Sequence, residues 1–287
     1  MPAPFALDLC GFRDGRANTS DASEAFSIEL GQALFDAMGV QPGTVPPTSL
    51  DKQMSQKLAV DLEKQLSGRD LVVESEKKLN SFDQFRHVAV IRDLKPENSP
   101  AVTRSVKRLK QFVERRTQSP PKDAKRRAEL FESLENALAS EVENRRRIIE
   151  EIGEEALLGL DVTASRARIG ALPHLEMGLS LKWSLRTDRA QDCRSQGAKM
   201  AALRRGPMPH FAAVTMEPRP YMLRILGGGS GEVDCVYHLD LPALTAAIET
   251  TTRGNPRRRE TAEIFRKLVD QRRVRDYDEL IAYAQTL

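Results

Sequence analysis

The sequence predicts an α/β fold: a sheet in the C-terminal half with a large helical complement. Three observations carry this. Residues 179–186 alternate apolar Leu179, Leu181, Trp183 and Leu185 with Ser180, Lys182, Ser184 and Arg186, the period of a half-buried strand with one polar face. At Thr187 and Asp188 the pattern switches to a small-residue face of Ala190, Cys193, Gly197, Ala198 and Ala201, which reads as a helix with a Thr/Asp cap. From 157 onward, short apolar runs at 157–164, 177–186, 210–216, 221–226 and 232–239 read as strands, with helical patterns among and after them.

The remaining elements follow in chain order. Residues 1–20 are polar and rich in Gly and Asp, and read as an irregular arm. Phe26, Leu30, Leu34 and Met38 recur every four residues, which predicts a helix over 22–38 ending at Gly39. QPGTVPP (41–47) is a loop. Leu50, Met54, Leu58, Leu62 and Leu66 repeat by four behind the cap candidates Thr48 and Ser49. A strand is expected over 71–74, and the S-x-x-Q start at Ser81 predicts a helix over 81–93. Residues 95–155 differ in texture: helices near 101–117 and 122–154, broken by SPP (119–121), carry a stripe of Leu130, Leu134, Leu138 and Val142 among Arg and Glu. This segment reads as a solvated helical hairpin, with an arm or oligomer contact as the functional alternative. GGGSG (227–231) lacks the Lys-Ser/Thr of a phosphate loop and leads into an expected strand, so it is assigned to a hairpin turn. Helices are expected at 241–251, 257–271 and 276–285. PRRR (256–259) is a solvated face or a phosphate grip.

The chain has 287 residues, 40% hydrophobic and 30% charged, which suits one large domain or a domain with an appendage. A net charge of +3 permits nucleic-acid binding without requiring it. Three widely spaced cysteines (Cys10, Cys193, Cys235) form neither a disulfide framework nor a zinc spacing. With no signal peptide and no apolar run of spanning length, a cytoplasmic protein without a membrane segment is expected.

Arg186, Asp188 and Arg189 sit where the strand ends and the helix begins. An arginine fork can donate twice to guanine O6 and N7, and a carboxylate can accept from cytosine N4, so R-x-D-R on a rigid corner suits adjacent G·C pairs. The bland alternative is a surface salt-bridge network at a helix start.

A longer pattern weighs between these. S-L-K-W-S-L-R-T-D-R-A-Q (180–191), R-S-Q-G (194–197), P-H-F-A-A-V-T-M-E-P (209–218) and G-E-V-D-C-V-Y-H (231–238), with weaker F-D-Q-F-R-H-V (82–88) and F-S-I-E-L-G (26–31), resemble the NgoMIV family of type II restriction endonucleases. The strong blocks cover about a fifth of the chain. The resemblance implies a PD-(D/E)xK core, a central mixed sheet flanked by helices. It implies one nuclease domain over 1–287 with a helical insertion at about 95–155. It also implies Mg²⁺-dependent hydrolysis of double-stranded DNA at a palindrome with a CCGG centre (GCCGGC-like), by a homo-oligomer, dimer or tetramer.

Carried over residue by residue, the resemblance assigns Ser180 and Lys182 to the S-x-K strand and Arg186, Asp188 and Arg189 to base reading. Asp161 takes the aspartate slot, with Ala167 as the competing alignment. The helix glutamate slot holds Gln196, and Asp192, one turn earlier, is the candidate substitute metal ligand beside Asp161. The N-terminal glutamate slot falls on Ser55, with Asp51 the nearest acid. Glu217, Glu232 and Asp234 read as carboxylates that hold basic groups. Asp21 lies near an outer-base position, and Arg219 and Arg224 are alternatives for an arginine after Pro218. Taken alone, Lys182 reads as an edge-strand gatekeeper and Asp161 as a turn cap. Two replaced carboxylates keep other readings open: an impaired relative that binds DNA without cutting, a helical interaction protein, or a nuclease of different specificity.

Overall fold

The computed structural model describes residues 2–88, 97–116, 121–152, 158–229 and 231–287. The chain divides into two compact units, Arg86–Leu157 and the remainder, Met1–Phe85 with Leu158–Leu287.

The larger unit is built on a six-stranded mixed sheet of β3 (Val72–Lys78), β4 (Gly159–Arg166), β5 (His174–Lys182), β6 (His210–Thr215), β7 (Val236–His238) and β8 (Val274–Asp276), in that spatial order. β3 to β5 pair antiparallel and β5 to β8 parallel. Parallel neighbours need crossovers. α6 (Thr187–Leu203) links β5 to β6, α7 (Pro220–Gly227) links β6 to β7, and α8 (Leu241–Thr252) and α9 (Arg259–Asp270) link β7 to β8; α10 (Tyr277–Ala284) closes the chain. Before the sheet come α1 (Ala6–Leu9), a hairpin of β1 (Phe12–Arg13) and β2 (Arg16–Ala17), α2 (Ala25–Met38) and α3 (Leu50–Gln65). α2 ends at Gly39 in the left-handed conformation (φ 76°), which glycine adopts at little cost.

Several expectations need correction. Residues 221–226 form α7, not a strand. Pro220 starts the helix without loss of a needed N–H, and Met222, Leu223 and Leu226 are buried at helical spacing; a short apolar run does not separate strand from helix. GGGSG therefore joins a helix to a strand and is no hairpin turn, with Ser230 outside the described residues. β5 stops at Lys182, and residues 183–186 form a bend. β7 keeps only three residues of 232–239, and β8 was not anticipated. Residues 1–20 are no loose arm: Phe5, Ala6, Leu9 and Cys10 are buried. The 81–93 helix begins as two 3-10 turns, Leu79–Ser81 and Asp83–Phe85, and 89–93 lie outside the described residues.

Ser180 does not face solvent. It is buried together with Leu179 and Leu181, because parallel crossovers cover both faces of the sheet. Beyond it the expected alternation holds: Leu181, Trp183 and Leu185 are buried, whereas Lys182 and Ser184 are half-buried and Arg186 is exposed.

In the smaller unit, α4 (Pro100–Arg116) and α5 (Pro121–Ile152) are joined by an ion pair of Lys110 and Glu135 at 3.1 Å. Phe131, Leu134, Leu138 and Val142 are half-buried, whereas Leu130 is exposed, so the apolar stripe runs through Phe131. The break at 117–120 lies outside the described residues. Among the described residues no helix is long and apolar enough to cross a membrane.

α6 packs closely on the segment before β7. A Cβ added at Gly197 would lie 1.8 Å from the Glu232 carbonyl oxygen, and Arg194 of α6 pairs with the Glu232 side chain at 3.0 Å. Backbone cannot retreat as a side-chain tip can. Gly197→Ala is therefore expected to cost about 1–3 kcal/mol in denaturant unfolding; an unchanged midpoint would mean that α6 does not pack this closely.

Candidate active site and nucleic-acid interface

Antiparallel pairing brings the start of β4 to the carboxyl end of β5. One residue beyond the Val162 and Leu179 pair, Asp161 Oδ2 accepts a hydrogen bond from Leu181 N at 2.6 Å. Lys182 Nζ lies 3.8 Å from the same oxygen, with the lysine 19% and the aspartate 40% exposed. Asp161 Oδ1 has no hydrogen-bond partner among the described residues. From α3, Ser55 donates to the Asp161 carbonyl at 2.8 Å. A half-exposed ion pair adds little stability; its consequence is geometric, since a carboxylate and an ammonium are held together at the sheet edge with one oxygen open.

The other sequence candidates are placed differently. The Ser180 hydroxyl is buried and forms no well-shaped hydrogen bond among the described residues. Beside it lies the Cys193 thiol, pushed up to about 11 by burial, with Ser180 and Lys182 opposing. Asp192 is exposed and Gln196 half-buried on α6, and no hydrogen bond or ion pair joins either to Asp161. Asp51 is exposed. Among the described residues no group of three His, Cys, Asp or Glu side chains is arranged to hold a metal.

Past Lys182 the chain bends. Trp183 is buried and donates to Asn18 Oδ1 at 3.2 Å, while its carbonyl accepts from Met216 N at 3.1 Å. Arg186 is the N-cap of α6 and caps it with no side-chain hydrogen bond, so the expected Thr/Asp cap is not formed. Asp188 lies in the first turn, where the helix dipole favours a carboxylate. Arg186, Asp188 and Arg189 are all exposed, and no ion pair or side-chain hydrogen bond engages them among the described residues. Among the described residues, the surface salt-bridge network that was the alternative reading does not form.

Behind this corner lies a buried ion pair that residue patterns only hinted at. Glu217 is fully buried and Arg219 is 2% exposed, with Arg219 Nε 2.6 Å from Glu217 Oε1. Burial pushes the Glu217 carboxyl above its ordinary range, against Arg219 and the backbone N–H groups facing it. Burial works against the Arg219 charge too, but Glu217 outweighs it and holds that pKa above its usual value. Glu232 pairs with Arg194 and Asp234 with His210 Nδ1 at 2.8 Å, the holding roles read from the sequence. Of the PRRR arginines, Arg258 binds Glu29 at 2.6 Å and Arg259 binds Glu263 at 2.8 Å.

Residues 135–282, just over half of the chain, match the family of the NgoMIV restriction enzyme. The chain belongs to this family. The match takes in β4 through β8, and with them Asp161, Lys182 and the corner at 186–189; Ser55 and Asp21 lie outside it. The mixed sheet flanked by helices agrees with a restriction-endonuclease-like α/β fold. Over 115 residues the chain is 35% identical to the type II restriction enzyme NgoMIV of Neisseria gonorrhoeae, an alignment covering 40% of this chain and 38% of that enzyme. The matched stretch is thus well under half of the relative's own length.

This NgoMIV-family chain carries three free, buried cysteines. Burial raises Cys10 to about 12 and Cys193 and Cys235 to about 11. A raised thiol pKa means almost no thiolate below it, and the thiolate is the reactive form. The folded protein is expected to yield no thiol to a disulfide reagent at pH 8 and all three after denaturation. Prompt reaction of one thiol in the native protein would contradict the packing around the site.

Proposed function

We propose that this chain is a type II restriction endonuclease that hydrolyses double-stranded DNA at a palindrome with a CCGG centre, GCCGGC-like. The observation that supports it best is a juxtaposition. Asp161 near the start of β4 and Lys182 at the end of β5 lie side by side, and four to seven residues past the lysine stand Arg186, Asp188 and Arg189, exposed and without side-chain partners among the described residues. Bases read at that corner place a phosphate backbone near the sheet edge.

The donor set fits a magnesium ion at the level of one carboxylate, since Mg²⁺ commonly takes one or two carboxylates and keeps several waters and phosphate oxygens. Asp161, with its open oxygen, would hold it; Asp192 is the candidate second acid. When bound, the ion polarises water and phosphate. Lys182 supplies a cation for charge developing on the phosphate oxygens or orients the attacking water, and Asp161 and the covered sheet keep it in place. Ser180 underlies this edge, and Gln196 stands as a neutral group where a carboxylate would bind metal more tightly. A homo-oligomer, dimer or tetramer, gives the two-fold symmetry that a palindrome matches. The helical segment at about 95–155 is read as an insertion in a single nuclease domain over 1–287, and the cytoplasm as the compartment that keeps the cysteines reduced.

A second reading is a relative that binds DNA without cutting. It is favoured by Ser55, whose hydroxyl is committed to the Asp161 carbonyl where the resemblance implies a glutamate, and by Gln196.

Two measurements test these readings. Digestion of a mapped plasmid with and without Mg²⁺ separates cutting from binding. In the cutting case, Lys182→Ala is expected to abolish cleavage and leave specific binding within about tenfold. Equal loss of both would make Lys182 a structural residue. Alanine at Arg186, Asp188 or Arg189 is expected to weaken binding to a CCGG duplex by about 1–3 kcal/mol and relax discrimination. If specific and non-specific DNA weaken together with a shallower salt slope, these residues touch phosphate only, and the base-reading claim fails.

A further inference from the structure

Among the described residues the side chains of Arg186, Asp188 and Arg189 hold nothing and are held by nothing, so the backbone beneath them must set their aim. That backbone is gripped directly before the corner, at Leu185. Leu185 N donates to Glu217 Oε2 at 2.6 Å, and the Leu185 carbonyl accepts from Arg219 Nη2 at 2.6 Å. Both main-chain polar atoms of the residue before Arg186 are therefore tied to one buried ion pair. We propose that Glu217 and Arg219 are positioning residues for the reading corner, clamping Leu185 so that Arg186, Asp188 and Arg189 meet the bases in one fixed orientation. This inference rests on the base-reading role assigned above and adds to it the residues that decide its fidelity.

The clamp is itself anchored. Arg219 N donates to Glu217 Oε1 at 3.0 Å, and Glu217 N donates to Thr215 Oγ1 at 3.0 Å, at the last residue of β6. On its outer side Arg219 Nη1 reaches Asp21 Oδ2 at 3.2 Å, Glu24 Oε2 at 3.4 Å and Tyr221 Oη at 3.2 Å. One guanidinium thus joins the end of β6, the bend before α6 and the segment before α2. Every Arg219 nitrogen is engaged in this way. Arg224, the other candidate of that region, is exposed.

Glu217 accepts from four N–H groups, two at each oxygen. An amide there keeps the shape but must turn an NH₂ toward N–H donors on one side. Glu217→Gln is thus the smallest change that opens the clamp. Two readouts are used, hydrogen exchange over 183–189 without DNA and the affinity ratio between a CCGG duplex and one with a single central pair changed. In the wild type, the Leu185 amide is expected to exchange as slowly as the amides of β5. Rapid exchange there overturns the clamp without recourse to any variant. In E217Q, below its melting temperature, exchange over 183–189 is expected to accelerate selectively, and the affinity ratio to fall about tenfold, the scale of one misaligned base contact. Non-specific affinity should hold. A folded E217Q that keeps the wild-type ratio overturns the positioning role and leaves a merely structural pair. A wild type with no preference for CCGG removes the base-reading role instead, and the clamp is then judged on the exchange arm alone.

Discussion

Between β5 and β8 every strand runs parallel to its neighbour, so each junction needs a crossover, and the crossover helices cover the sheet. Polar chemistry is thereby driven off the faces. Ser180, Thr215 and His238 are all buried, and side chains that can meet a ligand are left at the strand ends. The carboxyl end of β5 is where the antiparallel partner β4 begins, so it is the antiparallel register on this side of β5 that brings Asp161 beside Lys182. In open sheets of this kind the crevice beyond the carboxyl ends of the strands is the usual place for a ligand. Much of the candidate site follows from that constraint together with the close packing of α6 at Gly197.

A second layer of order comes from charge. The Glu217 and Arg219 pair is buried, and such a pair gains little over an apolar replacement, while loss of one partner costs about 3–5 kcal/mol. Stability alone is a weak reason for it. What the pair does that apolar packing cannot is present a donor and an acceptor to the two main-chain atoms of Leu185. By contrast, the half-exposed contact of Lys182 with Asp161 leaves a carboxylate oxygen open. The two ion pairs meet the chain on either side of one bend, at Lys182 and at Leu185, and differ in use: one locks backbone, the other leaves a carboxylate and an ammonium side by side with an oxygen open.

The pattern of residues made a good part of this legible. The switch from period two to helical spacing near Thr187 located α6 within a residue, and the four-residue repeats located α2 and α3. The apolar run at 157–164 predicted a strand, and Asp161 does lie in β4 beside Lys182. Failures came where a local pattern has two physical solutions. Met222, Leu223 and Leu226 suit a strand or a helix, and the Pro at 220 decided for the helix. Leu130 looked like part of a stripe, but a shift of one residue puts Phe131 on the packed side. Ser180 looked exposed because alternation reports which face a residue is on, not whether that face is covered.

What the sequence by itself determined is the set of local choices: which segments are helical, where the strand carrying Lys182 runs, and which family the motifs match. These depend on spacing within a few residues. What only the tertiary structure decided is which distant residues meet. Asp161 and Leu181, Ser55 and the Asp161 carbonyl, Trp183 and Asn18, Leu185 and the pair at Glu217 and Arg219 are brought together by strand register and helix packing. Register and packing are global properties, set by closing the whole sheet at once, and no window along the chain contains them.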